Sequence, residues 1–320
     1  MSATGEPFDP TAPGPDAPQE PDVAALAAQP PRRRRDRMIH EEAELMLGDF
    51  TPAGVTTAQH GERTIPVEKG IPGERVRAAI TTLKGRKGWT RATVTDVLEA
   101  ASDRIEAPCP YFREHDCGGC EWQHMMYAFQ LSTKREIVDG LMREVGIDHP
   151  PDAVYALDEP WRYRHSAAVA LAKGAGFRKR RRQSVIAIDD CPISHPAISS
   201  LLATLNDWYA EGIYPDLRGK VWVEAKVVGG PDAPLLQLVI GGIGGMDLPN
   251  RPELHPLADK LGALPEIASV TYKHPSGETR PYHGPVASVV TVGGEPFVLP
   301  AGSFFQTNLA LLPRLIARVG

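Results

Sequence analysis

Cys109-Pro110-Tyr111-Phe112-Arg113-Glu114-His115-Asp116-Cys117-Gly118-Gly119-Cys120 places three of the chain's four cysteines within twelve residues, and the fourth follows about seventy residues later in Asp190-Cys191-Pro192-Ile193. Three clustered thiols and one distant thiol suit a metal centre: the near group wraps one side and a returning segment supplies the last ligand. Gly118 and Gly119 fit a backbone packed against an inorganic core, where positive φ or a missing β-carbon is needed. A cysteine followed by proline, as at Cys191, also occurs in bacterial ferredoxin ligand runs. Spacing alone leaves an iron-sulfur cluster and a tetrahedral four-thiolate zinc site both open. Disulfides rank behind them, because nothing marks the chain as secreted and stable bridges do not persist in a reducing compartment.

The residues around the thiols separate the two centres by resemblance. Ala107-Pro108-Cys109-Pro110-Tyr111-Phe112 leads in, Glu121-Trp122-Gln123-His124 and a helical stretch follow, and Cys191-Pro192 comes later. This arrangement resembles the RNA uridine C5-methyltransferase family, whose ribosomal-RNA branch carries a 4Fe-4S cluster on four such cysteines. The resemblance implies a 4Fe-4S cluster on Cys109, Cys117, Cys120 and Cys191. The seven residues between Cys109 and Cys117 make a longer gap than in the familiar members.

Composition is that of an ordinary soluble protein of two or three domains, with 320 residues, 42% of them hydrophobic. No window approaches a membrane span and the amino terminus lacks a signal pattern, so the expectation is a cytoplasmic, monomeric protein without a membrane. The net charge of -5 argues against a nucleic-acid partner only if charge is evenly spread, and the local patches are basic. Residues 1–41 are rich in Pro, Ala, Asp and Glu and read as a disordered tail. The tail's run Arg32-Arg33-Arg34-Arg35-Asp36-Arg37 suits either RNA phosphates or plain solvation.

Residues 42–104 break into short extended pieces punctuated by Gly and Pro, the pattern of a small antiparallel barrel. Val76, Ala78 and Ile80 alternate onto a core face, leaving a basic outer face, and Lys84-Gly85-Arg86-Lys87-Gly88 reads as a turn before the strand at Arg91. Placed before the cysteines, this block resembles a TRAM domain, the OB-like RNA-binding barrel of the same family.

Met126, Phe129, Ile137, Leu141 and Val145 follow helical spacing up to Gly146, which predicts a helix packing this stripe on a core, with Met125 and Met126 as packing residues. The rest of 105–290 mixes strands (166–171, 184–188, 221–228, 235–240 and 267–272) with a helix over 197–209, an α+β domain. Trp161-Arg162-Tyr163-Arg164 and Phe177-Arg178-Lys179-Arg180-Arg181-Arg182 interleave aromatics with cations, the combination that stacks on unpaired bases and neutralises phosphates. Arg162, Arg164, Arg178, Lys179, Arg180 and Arg182 are therefore the expected RNA contacts, with a solvated hairpin tip as the alternative for Lys179 to Arg182.

Residues 291–320 hold Phe297-Val298-Leu299-Pro300-Ala301-Gly302-Ser303-Phe304-Phe305-Gln306-Thr307-Asn308. This stretch resembles the lead into the family's Rossmann-like methyltransferase domain, which implies that Gln306 contacts S-adenosylmethionine. Without the family it is a strand-to-helix junction, with Thr307 or Asn308 capping a helix over 309–319. Gly320 precedes any glycine-rich cofactor turn, so the expectation is a C-terminally truncated, inactive chain with no catalytic residue and with Phe304, Phe305, Leu309, Leu312 and Ile316 left unpacked.

The fold expected is thus multidomain α/β: an OB-like barrel, a central α+β iron-sulfur and RNA-binding domain, and the first elements of a methyltransferase domain. The implied function is S-adenosylmethionine-dependent methylation of uridine C5 in RNA, foremost 23S ribosomal RNA. The alternative is a non-catalytic iron-sulfur RNA-binding protein.

Overall fold

The computed structural model describes residues 37–84 and 88–319. The expected tail up to residue 36, and the middle of the 84–88 turn, lie outside the described residues. Strand β1 (Arg37–Phe50) starts at Arg37, so residues 37–41 belong to the barrel and not to the tail. With β2 (Thr56–His60), β3 (Arg63–Glu68), β4 (Arg75–Lys84) and β5 (Trp89–Glu99) it closes a five-stranded barrel in the order β1-β2-β3-β5-β4. β1 pairs with β4 from Arg37 to Met46 and with β2 from Leu47 onward, and a bulge between Gly48 and Phe50 bends it from one partner to the other.

The period-two pattern is obeyed: Val76, Ala78 and Ile80 are shut off from solvent and meet Leu45, Leu47, Ile65, Val67 and Ala92 inside the barrel. The outer face is not simply basic. Arg75 pairs with Glu44 and Glu99, and Arg77 pairs with Asp96 across the strands, so these arginines are matched by carboxylates. At the end of the barrel the fully buried Glu74 takes both Arg104 nitrogens, Nε at 2.5 Å and Nη2 at 2.7 Å, and accepts from the Ile71 and Ala101 amides. This fork ties the barrel to the segment that leads into the cysteines. Burial pushes the Glu74 carboxyl up, but the Arg104 and backbone donors outweigh it and hold it below the usual range.

The helical turn α1 (Pro110–Arg113) accounts for the long Cys109–Cys117 gap: Cys109 sits at its N-cap and Pro110 opens it. Helix α2 (Tyr127–Glu144) covers the predicted span, but its stripe does not pack on a core. Thr133 is its one buried residue, while Met126 is 42% and Val145 73% exposed. Met125, by contrast, is fully buried.

The remaining strands are β6 (Ser166–Ala172), β7 (Gly174–Arg178), β8 (Val185–Ala187), β9 (Val221–Gly230), β10 (Ala233–Gly242), β11 (Ile267–Lys273), β12 (Thr279–His283), β13 (Ala287–Val292) and β14 (Glu295–Pro300). The main sheet runs β12-β11-β10-β9-β6-β7-β8, parallel between β10 and β11 and antiparallel elsewhere. Helices α3 (Pro196–Ala210) and α4 (His255–Ala263) lay apolar faces on it, with Ile198, Leu202, Leu205, Leu257 and Leu261 fully buried against Val169, Leu171, Val223 and Leu238.

The β13–β14 hairpin joins this sheet through Val290 beside Gly229, so a domain boundary at 290/291 would cut through β13. Val290, Val292, Leu299 and Val228 there bury Leu312 at the start of α5 (Leu312–Val319) and half-bury Phe305 and Leu309. Of the residues expected to lack a partner, Phe304 (82% exposed) and Ile316 (47%) do stand open. Asn308 acts as the expected cap one turn early: its Oδ1 accepts from the Leu311 amide at 3.2 Å and the helix begins at Leu312.

Glu74→Ala leaves the Arg104 guanidinium without its carboxylate, a change expected to cost about 3–5 kcal/mol of unfolding free energy. Urea titration checks it. A cost no larger than that of Glu99→Ala, at an exposed pair, would show that the fork does not hold the barrel.

Candidate metal centre and nucleic-acid interface

All four thiols arrive at one small cavity from separate directions: Cys109 ahead of α1, Cys117 and Cys120 from the loop behind it, and Cys191 from the turn before α3. Tyr111, Phe112, Phe177 and Ile188 supply the apolar wall. The four cysteines are unbridged. Burial is the main cause that pushes Cys109 and Cys117 up and Cys120 to about 11, and the neighbouring thiols add to it. Gln123 binds the loop twice, its Nε2 donating to the Cys120 sulfur at 3.1 Å and its Oε1 accepting from the Cys109 amide at 3.3 Å. Among the described residues no group of three or more His, Cys, Asp or Glu side chains is arranged to hold a metal ion.

Gly119 lines the thiol cavity, whereas Gly118 meets the neighbouring hairpin. Asp116, at φ 59°, takes the left-handed turn, and Gly118 is required by a close approach. A β-carbon on Gly118 would stand 3.1 Å from the Arg178 carbonyl and from the Arg180 Cα. The hairpin between β7 and β8 lies directly on the cysteine loop, with Gly118 N–H donating to Arg178 O at 3.0 Å and Arg180 N–H to Asp116 O at 2.9 Å.

Arg180, one of the expected RNA contacts, is spent inside the protein. It is 7% exposed, ion-paired to Glu121, near Asp116 (3.8 Å) and Glu68 (3.9 Å), and donates to the Cys120 carbonyl at 2.5 Å. Arg162 is also engaged: it grips Asp190 at 2.5 and 2.8 Å and donates to the Cys191 carbonyl at 3.1 Å, which fixes the fourth cysteine's turn. Arg164 donates to Ser166 O at 3.0 Å and lines the thiol cavity, while Arg178 is spent on Gln183 and the Gly219 carbonyl. Of the six expected RNA contacts, Arg182 is exposed and Lys179 half-buried, both on a depression at the hairpin tip. Arg181 is tied to Glu68. Sequence reading missed the carboxylates because the partners of Arg180 and Arg181 lie 59 to 113 positions away.

Between barrel and thiols, Trp122 packs on Phe50 and donates from Nε1 to Gly54 O at 2.7 Å. Gly54, at φ 74°, leaves room for that ring, since a β-carbon there would lie 2.8 Å from it. His124 stacks on Phe112 and donates from Nε2 to the Gly70 carbonyl at 3.3 Å. Burial, with the Arg104 charge behind it, pushes His124 down to about 4.

Gln306 is exposed beside α5. The backbone around it is fixed: Lys226, buried and paired with Glu224 at 3.0 Å, donates to Ser303 O, and the His165 amide donates to Thr307 O at 2.8 Å.

The chain matches an uncharacterized RNA methyltransferase of Halalkalibacterium halodurans at 28% identity over 84% of its own length and 61% of the relative's. A 23S rRNA (uracil(1939)-C(5))-methyltransferase of Alkalilimnicola ehrlichii is 34% identical over 54% of this chain and 40% of that protein. Its relatives are RNA methyltransferases. The chain spans about 40 to 61% of the length of these two relatives. No protein-family model matches it. In fold it is similar to the Pyrococcus abyssi tRNA (uracil-54, C5)-methyltransferase in complex with S-adenosyl-L-homocysteine, at a TM-score of 0.59 over 86% of this chain and 64% of that one, with 19% identity. No helix among the described residues is long and apolar enough to cross a membrane.

Arg180→Ala, which leaves the Cys120 carbonyl without its donor and unties the hairpin from Glu121, is expected to cost about 1–3 kcal/mol of stability, whereas the exposed Arg182→Ala stays within about 0.5 kcal/mol. Equal effects in urea denaturation would remove the clamp reading.

His124 gives an acid dependence. Its folded-state pKa lies below the unfolded value, so the unfolded chain binds more protons between pH 6.5 and about 4, and stability present above 6.5 is lost as pH falls through that window, by about 3 kcal/mol. Unfolding curves across that range should be flatter for His124→Gln. Identical slopes would mean that other groups set the dependence.

Proposed function

We propose that the chain takes part in S-adenosylmethionine-dependent methylation of uridine C5 in RNA, with large-subunit ribosomal RNA as the substrate, and that it supplies the RNA-binding and iron-sulfur portion of that activity. The convergence of all four cysteines on one cavity carries the iron-sulfur part of this reading, and the named activities of the relatives carry the methyl transfer. The donor set fits a 4Fe-4S cluster: four thiols, an apolar wall, and a carboxamide N–H on one sulfur of the kind that tunes such clusters. When bound, the cluster would join the cysteine loop to the Cys191 turn through four thiolate-iron bonds. Arg180 and Arg162 hold these two segments in place from the protein side. The barrel is assigned as the TRAM unit, Gln306 as the contact to S-adenosylmethionine, and the protein works as a monomer in the cytoplasm.

Attack on uracil C6 needs a thiolate, since addition there makes the C5 carbon nucleophilic toward a methyl sulfonium. The chain has four cysteines, and all four line the cavity. The residues present therefore bind and orient, and this chain alone is expected to transfer no methyl group.

Anaerobic purification should give brown protein with iron and sulfide in equal amounts and broad visible absorbance, which Cys191→Ser abolishes. Tritium from labelled S-adenosylmethionine should not reach uridine in ribosomal RNA mixed with this chain alone. Colourless protein holding one zinc per chain would overturn the cluster, and tritium transfer would mean that one of the four thiols is the nucleophile.

A further inference from the structure

One cleft takes in the aromatic members of Trp161-Arg162-Tyr163-Arg164 and leaves the hairpin arginines outside. It measures about 850 Å³ and runs between α2 and the segment 154–163, from Ala53 at the barrel tip past Cys120 to Asn308 and Leu311. Its lining is aromatic: Trp122, Tyr127, Tyr155, Trp161 and Tyr163. A second depression of about 520 Å³ shares Lys134, Val154, Tyr155, Asn308 and Leu311 with it, so the two form one groove. The far end carries Lys134, Arg135, Arg314 and Arg318, and Gln306 opens onto it.

The charges are arranged as a strand of RNA requires. Arg318 is paired with Asp152, but Lys134, Arg135 and Arg314 make no ion pair among the described residues. Lys134 lies 5.9 Å from the Trp122 ring and Arg314 5.9 Å from the Tyr155 ring, which sets cations beside stacking faces. The one carboxylate lining the groove, Glu121, is engaged by Arg180. Duplex RNA hides its base faces, whereas unpaired bases stack on aromatic side chains while cations follow the backbone.

We infer that this groove binds an unpaired RNA strand, with bases on Tyr155 and Trp161 and phosphates on Lys134 and Arg314, directed toward Gln306. The inference rests on the RNA reading above and names the form of RNA taken. It moves the contact surface from the ion-paired arginines to residues whose cations are free to meet phosphate.

Fluorescence polarisation with a labelled twelve-nucleotide oligouridylate and with a duplex RNA of the same length tests it on the full chain. The single strand should bind at least about tenfold more tightly than the duplex. Tyr155→Ala with Trp161→Ala should weaken single-strand binding by about tenfold or more with the salt slope unchanged, and Tyr155→Phe with Trp161→Phe should restore it. Lys134→Gln with Arg314→Gln should lower the slope by about 1.4, or about 0.7 for each phosphate that is no longer neutralised. The urea midpoint of each variant confirms that it is folded, and Tyr155, at 51% exposure, tolerates truncation.

RNA binding by the parent protein with an unchanged dissociation constant in the folded alanine pair overturns the groove and leaves the RNA reading standing. No RNA binding by the parent overturns both. Self-association that the alanine pair abolishes and oligouridylate does not compete makes the groove a protein interface, which also overturns the inference.

Discussion

A guanidinium buried between three carboxylates and a carbonyl sets where the thiols stand. Arg180 leaves the β7–β8 hairpin, and its charge is met by Glu121 of the cysteine loop, Asp116 of the same loop and Glu68 of the barrel, while Cys120 supplies the carbonyl. A charge this deep is tolerated only with its partners in place, because desolvation otherwise outweighs the attraction. The planar fork of arginine suits the task in a way lysine does not, since it addresses Cys120 and Glu121 from one face and Glu68 from another. Gly118 is the companion constraint: it lets the hairpin backbone come close enough for the clamp to reach. Three segments far apart in sequence are thereby fixed before any metal is considered, and the cavity between the thiols follows from that fixing.

The same clamp explains what the sequence could and could not reveal. Period-two burial in β4 and the span of α3 were legible because both depend on neighbours two to four positions away. The cysteines were legible because few chemistries use three close thiols and a remote one. Arg162 and Arg180 were legible as cations but their partners were not, because the carboxylates that claim them lie 28 and 59 positions away. An aromatic-arginine run predicts affinity for nucleic acid only where the arginines are not already paired, and Arg162 and Arg180 are. α2 shows the converse. Its spacing correctly gave a helix, yet periodicity names a face and not the partner for it, and here most of that face stays open or half-covered.

The domain boundaries shifted for a related reason. The proline-rich stretch ends at Pro31, and the barrel begins at Arg37 and not at 42, because Arg37 to Met46 pair with β4 along its whole length. At the other end, β13 and β14 read as the opening of a new unit, whereas their apolar residues meet Val228 of the central sheet.

The sheet also determines what the 299–308 segment can present. Ser166, Lys226, Gln237 and Ser269 stand in register across β6, β9, β10 and β11, a line of polar side chains on one sheet face. An apolar face there would hold the segment by contact area alone, which has no preferred register. The polar line is directional: Gln237 Nε2 donates to Leu299 O at 3.0 Å and Lys226 donates to Ser303 O. With the Thr307 carbonyl also taken by His165, the backbone on both sides of Gln306 is anchored, while Phe304 and Gln306 themselves point into the open. Buried polar groups are costly unless they are paired, and here Lys226 and Gln237 Nε2 find their partners in this segment while Gln237 Oε1 and the Ser269 hydroxyl have none among the described residues, so the line fixes the segment's position at a cost in stability.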